Sequence, residues 1–231
     1  MIIFSVDSAS VAGSAALVRD GEVLYECFAK EGLTHSETLL ERCDEVFRKT
    51  GCSPKDVDCY AVTCGPGSFT GLRIGINLVK GLAFPADTPC VPVSTFEALA
   101  NPAIALGRDI LCVLDARQKR VYCAAYHVDN GELVPATEGK IVAIRDLNAE
   151  MLEDGIHSPV VVGDMAETVS GQVEGSTPCP AEMQDVHAAE VGRIAYKRFL
   201  NKETVRPEEL VPVYLQLSQA ERERIGKENK Q

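Results

Sequence analysis

Tryptophan is absent from this 231-residue chain, and its six tyrosines and seven phenylalanines are not interleaved with basic residues. A platform for stacking bases therefore has no support. Basic charge is short as well. Twenty-three Lys and Arg stand against 34 Asp and Glu, a formal charge of -11, whereas gripping a nucleic-acid backbone takes clustered cations. Any role on RNA would have to pass through a basic partner. No apolar run approaches the ~20 residues of a membrane span. The opening MIIFSVD lacks a basic n-region and a cleavage site, so no signal peptide is expected. Nine cysteines (27, 43, 52, 59, 64, 90, 112, 123, 179) include no C-x-x-C pair. That pattern argues against a zinc site or disulfide framework and fits buried free thiols in a reducing cytoplasm. His35, His127, His157 and His187 form neither H-E-x-x-H nor H-x-x-x-H, and His35-Ser36-Glu37 reads as a helix start.

The most informative stretch is Gly65-Pro66-Gly67-Ser68-Phe69-Thr70-Gly71-Leu72-Arg73-Ile74-Gly75. A strand is predicted before it over 58–64. Pro66 suits a turn, Ser68 an N-cap, and Phe69, Leu72, Ile76, Val79 and Ala83 recur at helical spacing,. Phosphate-binding patterns fail one by one. No Gly-Lys-Ser/Thr completes a Walker loop, Thr70 stands where a dinucleotide fingerprint needs glycine, and Ser68 lacks the flanking glycines of a nucleophile elbow,. What repeats is Gly67, Gly71 and Gly75, four apart. On a helix this bares one face to a close-packed neighbour, either inside the subunit or on a partner.

The two halves follow one plan. Strand-like runs at Ile2–Asp7, Ala12–Arg19 and Glu22–Phe28 lead to a helix over 35–49, the strand 58–64, the glycine-rich helix and a strand at 90–93. A helix opened by Ser94 and Glu97 closes this half,. Runs at 109–115, 120–128 and 132–136 begin the second half, with Asn130-Gly131 echoing the hairpin dipeptide Asp20-Gly21,. A helix at 143–153, a strand at 159–163 and helices at 164–169 and 186–200 follow, whereas 170–185 is loop-like. Val6-Asp7-Ser8 and Leu114-Asp115-Ala116 end the first strands alike. Duplicated α/β subdomains with mixed sheets and flanking helices are expected. Boundaries fall at 1–105, 106–217 and a charged tail, 218–231. Leu210–Leu215 reads as a short extended run before that tail.

Asp7-Ser8, His35-Ser36-Glu37, GPGSFTGLRIG, Val91-Pro92-Val93-Ser94 and Pro212-Val213-Tyr214-Leu215 occur in that order. With them the chain resembles the TsaB (YeaZ) family from residue 2 to about 220. The resemblance implies an actin/sugar-kinase (ASKHA) fold of two ribonuclease-H-like subdomains. It also implies a non-catalytic subunit that supports TsaD in placing threonylcarbamoyl on the adenosine beside the tRNA anticodon. TsaD and the ATPase TsaE would be partners, ATP and a metal would belong to those partners, and the chain alone would form a homodimer in the cytoplasm. Where TsaD carries two metal-binding histidines, this chain has Thr95 and Leu99, neither of which supplies an imidazole,. No metal is expected here.

The resemblance places the partner surface on Ser36, Leu39, Leu40, Cys43, Phe69, Thr70, Gly71, Leu72, Arg73, Ile74, Gly75 and Val79. The glycine row is then expected to admit a partner's helix. Gly71→Leu or Gly75→Leu should abolish pairing and leave the monomer folded. Arg73 and Lys80 are either solvated or paired with a partner's acids. Asp7, Ser8, Ser10 and Asp115 are candidates for a nucleotide or phosphate contact. Two other readings remain: a stand-alone ASKHA nucleotide hydrolase or small-molecule kinase, and a metallopeptidase.

Overall fold

The computed structural model describes residues 1–30 and 34–216; the charged segment 218–231 lies outside them. The first half opens with β1 (Ile2–Asp7), β2 (Gly13–Arg19) and β3 (Glu22–Ala29). Asp20 and Gly21 have φ of 52° and 87°, the twist-matched turn their dipeptide predicts. The helix α1 (His35–Thr50) begins at the predicted residue and runs one residue past the predicted end. Its cap is Thr34, whose amide and hydroxyl both donate to Glu37, at 3.2 and 2.7 Å. After α1 come β4 (Cys59–Gly65), α2 (Phe69–Ala83), β5 (Cys90–Ser94) and α3 (Thr95–Ala103). The Ser94–Glu97 capping box is present at α3. Sheet order is β3-β2-β1-β4-β5, antiparallel up to β1 and parallel beyond it.

The second half contributes β6 (Ile110–Asp115), β7 (Arg120–Asp129), β8 (Glu132–Pro135), β9 (Lys140–Ala143) and α4 (Leu147–Glu153). It continues with β10 (Val160–Val162), α5 (Ala166–Ser170), β11 (Thr177–Pro178) and α6 (Ala188–Leu200). Its sheet runs β8-β7-β6-β10-β11, the same order as the first, with β9 also laid on β7. Two predictions shift here. The helix expected from 143 starts at Leu147, because 140–143 joins β7 as a strand and Ile144–Asp146 forms one 3-10 turn. The loop-like 170–185 supplies the two-residue β11. The expected extended run 210–215 joins neither sheet as a strand, but its Val213 amide donates to the Cys64 carbonyl at 2.7 Å.

Packing does not follow the halving of the chain. The helix α6 belongs to the second half in sequence but lies on the first sheet, where Ser5 Oγ donates to Ala188 O at 2.6 Å. Together with α3 it fills the space between the sheets, in one apolar core running from Ile3 and Val91 through Leu99 to Ile110 and Val162. Arg198 of α6 clasps Glu97 of α3 through two bonds of 2.7 and 2.8 Å. Smaller cores lie outside the sheets, around α1 and α2 in one lobe and α4 and α5 in the other. All nine cysteines are free and seven are buried; burial pushes the Cys43 thiol up to about 12. Among the described residues no helix is long and apolar enough to cross a membrane.

Candidate functional site

The glycine-rich segment packs against the turn after β1. Ser68 caps α2 by accepting the Gly71 amide at 3.2 Å, and its own amide donates to Ala9 O at 2.7 Å. Ser8 Oγ donates to Gly71 O at 2.9 Å. A β-carbon at Gly67 would overlap the Ala9 carbonyl oxygen. At Gly71 it would overlap Ser8 O, and at Gly75 Ser8 Oγ. The bare face of α2 is thus filled by the chain's own Ser8–Ala9 turn. This corrects the expectation that the row admits a partner's helix: Gly71→Leu and Gly75→Leu would break the monomer first.

The predicted contact residues therefore separate into two sets. Leu39, Cys43, Gly71, Leu72, Gly75 and Val79 are buried inside the first lobe and cannot be reached by a partner. They hold α1 and α2 on their sheet. Ser36, Leu40, Thr70 and Arg73 are exposed, and Phe69 and Ile74 are half-buried. Leu40 stands out as an apolar side chain with 61% of its surface open. The cations of α2 have partners within the chain. Arg73 Nε donates to the Tyr214 hydroxyl at 2.8 Å and Lys80 to Glu208 O at 3.3 Å, while Phe69 stacks on Tyr214 at 4.4 Å.

Between the lobes lies a cleft of about 540 Å³. Ser10, Gly67, Ser68 and Thr70 form one wall; Asp115, Arg117, Tyr122 and Asp164 form the other. Of the four predicted nucleotide contacts, Ser10 and Asp115 face this cleft, whereas Asp7 and Ser8 are buried beneath the Gly67–Gly71 backbone. Asp7 Oδ1 accepts from Thr63 Oγ1 at 2.6 Å and from the Ala9 amide at 3.2 Å. Its Oδ2 is buried without a hydrogen-bond partner among the described residues. Burial raises this carboxyl to about 7, against the smaller pull of the Thr63 and Ala9 bonds and of His187,. Asp164 accepts the Asp115 amide at 3.0 Å, and burial, with Asp115 and Asp185 nearby, raises its carboxyl too. Asp115 pairs with Arg117 at 3.2 Å. This wall thus carries two acids and the Arg117 cation, while Asp7 is not part of the cleft lining.

Thr95 and Leu99 are buried in the core between the sheets. His35 does not cap α1; its Nε2 lies 2.7 Å from Ser10 O. His187 sits 2.9 Å from Glu26, which also accepts the Ala189 amide, and the Glu26 bond raises the imidazole above its ordinary value. Sequence reasoning missed Tyr122 and the placement of Tyr214. A lone aromatic in an alternating strand gives no signal, and the Pro212–Leu215 motif marked a resemblance without showing what it touches.

Comparisons with known proteins fit this geometry. A family model described as "TsaD: tRNA N6-adenosine threonylcarbamoyltransferase" matches residues 30–159. The tRNA threonylcarbamoyladenosine biosynthesis protein TsaB of Escherichia coli (strain K12) is 32% identical over 99% of this chain and 100% of its own length. The chain belongs to the TsaB family. A solved structure of YeaZ from Pseudomonas aeruginosa superposes with a TM-score of 0.77 at 25% identity, covering 93% of this chain and 99% of that one. An activator of 2-hydroxyisocaproyl-CoA dehydratase from Clostridium difficile, at 13% identity, TM-score 0.50 and coverage of 88% and 97%, shares the fold alone. Both matches fit the ASKHA class, and the repeated strand order is that of its two ribonuclease-H-like units. The family model covers residues 30–159 alone, whereas the TsaB match runs over essentially both full lengths and decides the family.

Proposed function

We propose that this TsaB-family chain is a non-catalytic subunit in the formation of threonylcarbamoyladenosine in tRNA. It docks on a TsaD-type protein through the outer faces of α1 and α2. The observation that carries this reading is the match to E. coli TsaB over essentially both full lengths. The outer helical face supports it: Leu40 is open, with Ser36 beside it on α1 and Thr70, Arg73 and Ile74 on α2. An exposed leucine on a helix contributes its apolar area when a partner desolvates it. In this reading TsaD and TsaE supply the metal, the ATP and the transfer chemistry, and no strong direct tRNA contact is made. The chain works in the cytoplasm and self-associates when TsaD is missing. Its contribution is binding energy and preorganisation of the catalyst.

Co-expression with TsaD, size-exclusion chromatography and a threonylcarbamoylation assay test the reading. Leu40→Asp, at a residue open to solvent, is expected to leave a folded monomer, lose co-elution and lower modification by about tenfold or more,. Unchanged co-elution and activity would refute it.

A second reading, a nucleotide hydrolase acting alone, draws on the open cleft with Ser10 and Asp115. Calorimetry of the isolated chain with ATP and magnesium is expected to show no heat of binding. Saturable binding lost in Asp115→Ala would favour the hydrolase. The peptidase reading lacks ligands at Thr95 and Leu99.

A further inference from the structure

The Pro212–Leu215 motif is not used by the docking reading, yet it lies where the two lobes meet. Residues 213–216 touch both. On the first lobe, the Val213 amide donates to Cys64 O at 2.7 Å, and Gly65 is bare because a β-carbon would overlap Val213 O. The Tyr214 ring stacks on Phe69 with centroids 4.4 Å apart, and its hydroxyl accepts from Arg73 Nε at 2.8 Å. The Arg73 guanidinium lies 5.6 Å from the ring centroid, within cation–π range. On the second lobe, Leu215 packs over Gly139 and Gln216 Nε2 donates to the hydroxyl of Tyr122 on β7.

The segment also forms a wall between two cavities. Gln216 borders the inter-lobe cleft, whereas Val213 and Leu215 border a separate groove of about 420 Å³ lined by Val93, Phe96 and Tyr126. Its anchors are unequal. Tyr214 is held by a stack, a hydrogen bond and a cation; Gln216 leaves its buried Oε1 without a partner among the described residues. An incompletely satisfied buried amide lowers the cost of letting go. Arg73, the group that holds Tyr214, is exposed on the outer face of α2. A partner carboxylate that takes this guanidinium through its planar fork competes with the Tyr214 hydroxyl.

We infer that Tyr214 is the latch of an inter-lobe strap. It ties the outer face of α2 to β7 at the cleft, so that a partner protein seated on Arg73 is felt at Tyr122. The two strap states would differ in their Arg73 and Tyr122 contacts, which gives a ligand at either place something to select. The partner arm rests on the docking reading above; the latch itself does not.

Hydrogen exchange on the full chain tests the latch directly. Tyr214→Phe keeps the stack and removes the Arg73 bond; Tyr214→Ala removes both. Exchange of the amides at 120–126 is expected to rise about threefold in Tyr214→Phe and about tenfold in Tyr214→Ala. The amides of β2 remain unchanged. A rise confined to 210–216 and 69–73 means a purely local role and overturns the inference; the milder variant decides if Tyr214→Ala does not fold. Purified TsaD is then added. In the wild type it is expected to protect α2 and to raise exchange at 120–126. In Tyr214→Ala or Tyr214→Phe, protection of α2 should persist while 120–126 responds less. Protection of α2 with 120–126 unmoved in the wild type overturns the coupling. No protection of α2 at all refutes the docking reading and leaves the latch to the first arm.

Discussion

The two lobes share one strand order, yet they treat the acid at the end of their first strand in opposite ways. In the first lobe β4 runs past the Val6–Val62 pairing to Gly65, so Thr63 stands beside Asp7 and bonds it. A 15-residue helix then lays its glycine face over the Ser8–Ala9 turn and seals the carboxyl from water. In the second lobe β10 stops at Val162, opposite Cys112, with Val113 and Leu114 still to come before Asp115. The helix that follows has five residues, and Asp115 keeps its side chain 34% open to the cleft. A strand longer by a few residues and a glycine-lined helix turn a cleft acid into a core acid.

The most direct test of that contrast is Gly71→Ala. The overlapping atom is a backbone carbonyl that cannot swing aside, so a loss of about 3 kcal/mol is expected in urea unfolding, the upper end for overpacking,. A loss below about 0.5 kcal/mol would mean that α2 does not press on the turn.

Next is the pH dependence set by Asp7. Its folded value, about 7, lies above the ordinary carboxyl value of 3.8. Between the two the folded chain keeps a proton that the unfolded chain has released, so stability falls as pH rises from about 4 to 7 and levels off above. Its full size is on the order of 4 kcal/mol. Asp7→Asn is expected to remove most of this slope, leaving the shallower declines that the raised Asp164 carboxyl and the raised His187 imidazole contribute,. Parallel pH profiles for wild type and variant would place Asp7 in contact with water.

Asp115→Asn should do least. Its amide partner is Asp164 and its ion pair with Arg117 is exposed, so stability should change by no more than about 0.5 kcal/mol,. A larger loss would make the two acids equivalent after all.

Much of this arrangement could be read before any coordinates. Alternation and Asp-Gly and Asn-Gly turns place the hairpins, and Ser68 and Ser94 mark the starts of α2 and α3. Glycines four apart told correctly that one face of α2 is bare. They could not tell what covers it, because the neighbour, Ser8, stands 63 residues earlier in the chain. The same non-local contact explains why Asp7 and Ser8 looked like cleft residues. Lys140–Ala143 is too short to separate strand from helix by period, and only its pairing with β7 decides it,. Leu40 and Leu39 look alike in sequence, but the helical phase buries one and opens the other.

That phase also sets the sharpest test of the docking face. Titration calorimetry of TsaD with the wild type, Leu40→Asp and the second-lobe control Val134→Asp compares one exposed apolar residue with another. Weakening by about thirtyfold or more in Leu40→Asp, with Val134→Asp binding as the wild type does, is the expected result. Equal affinity for all three would contradict docking through the outer faces of α1 and α2.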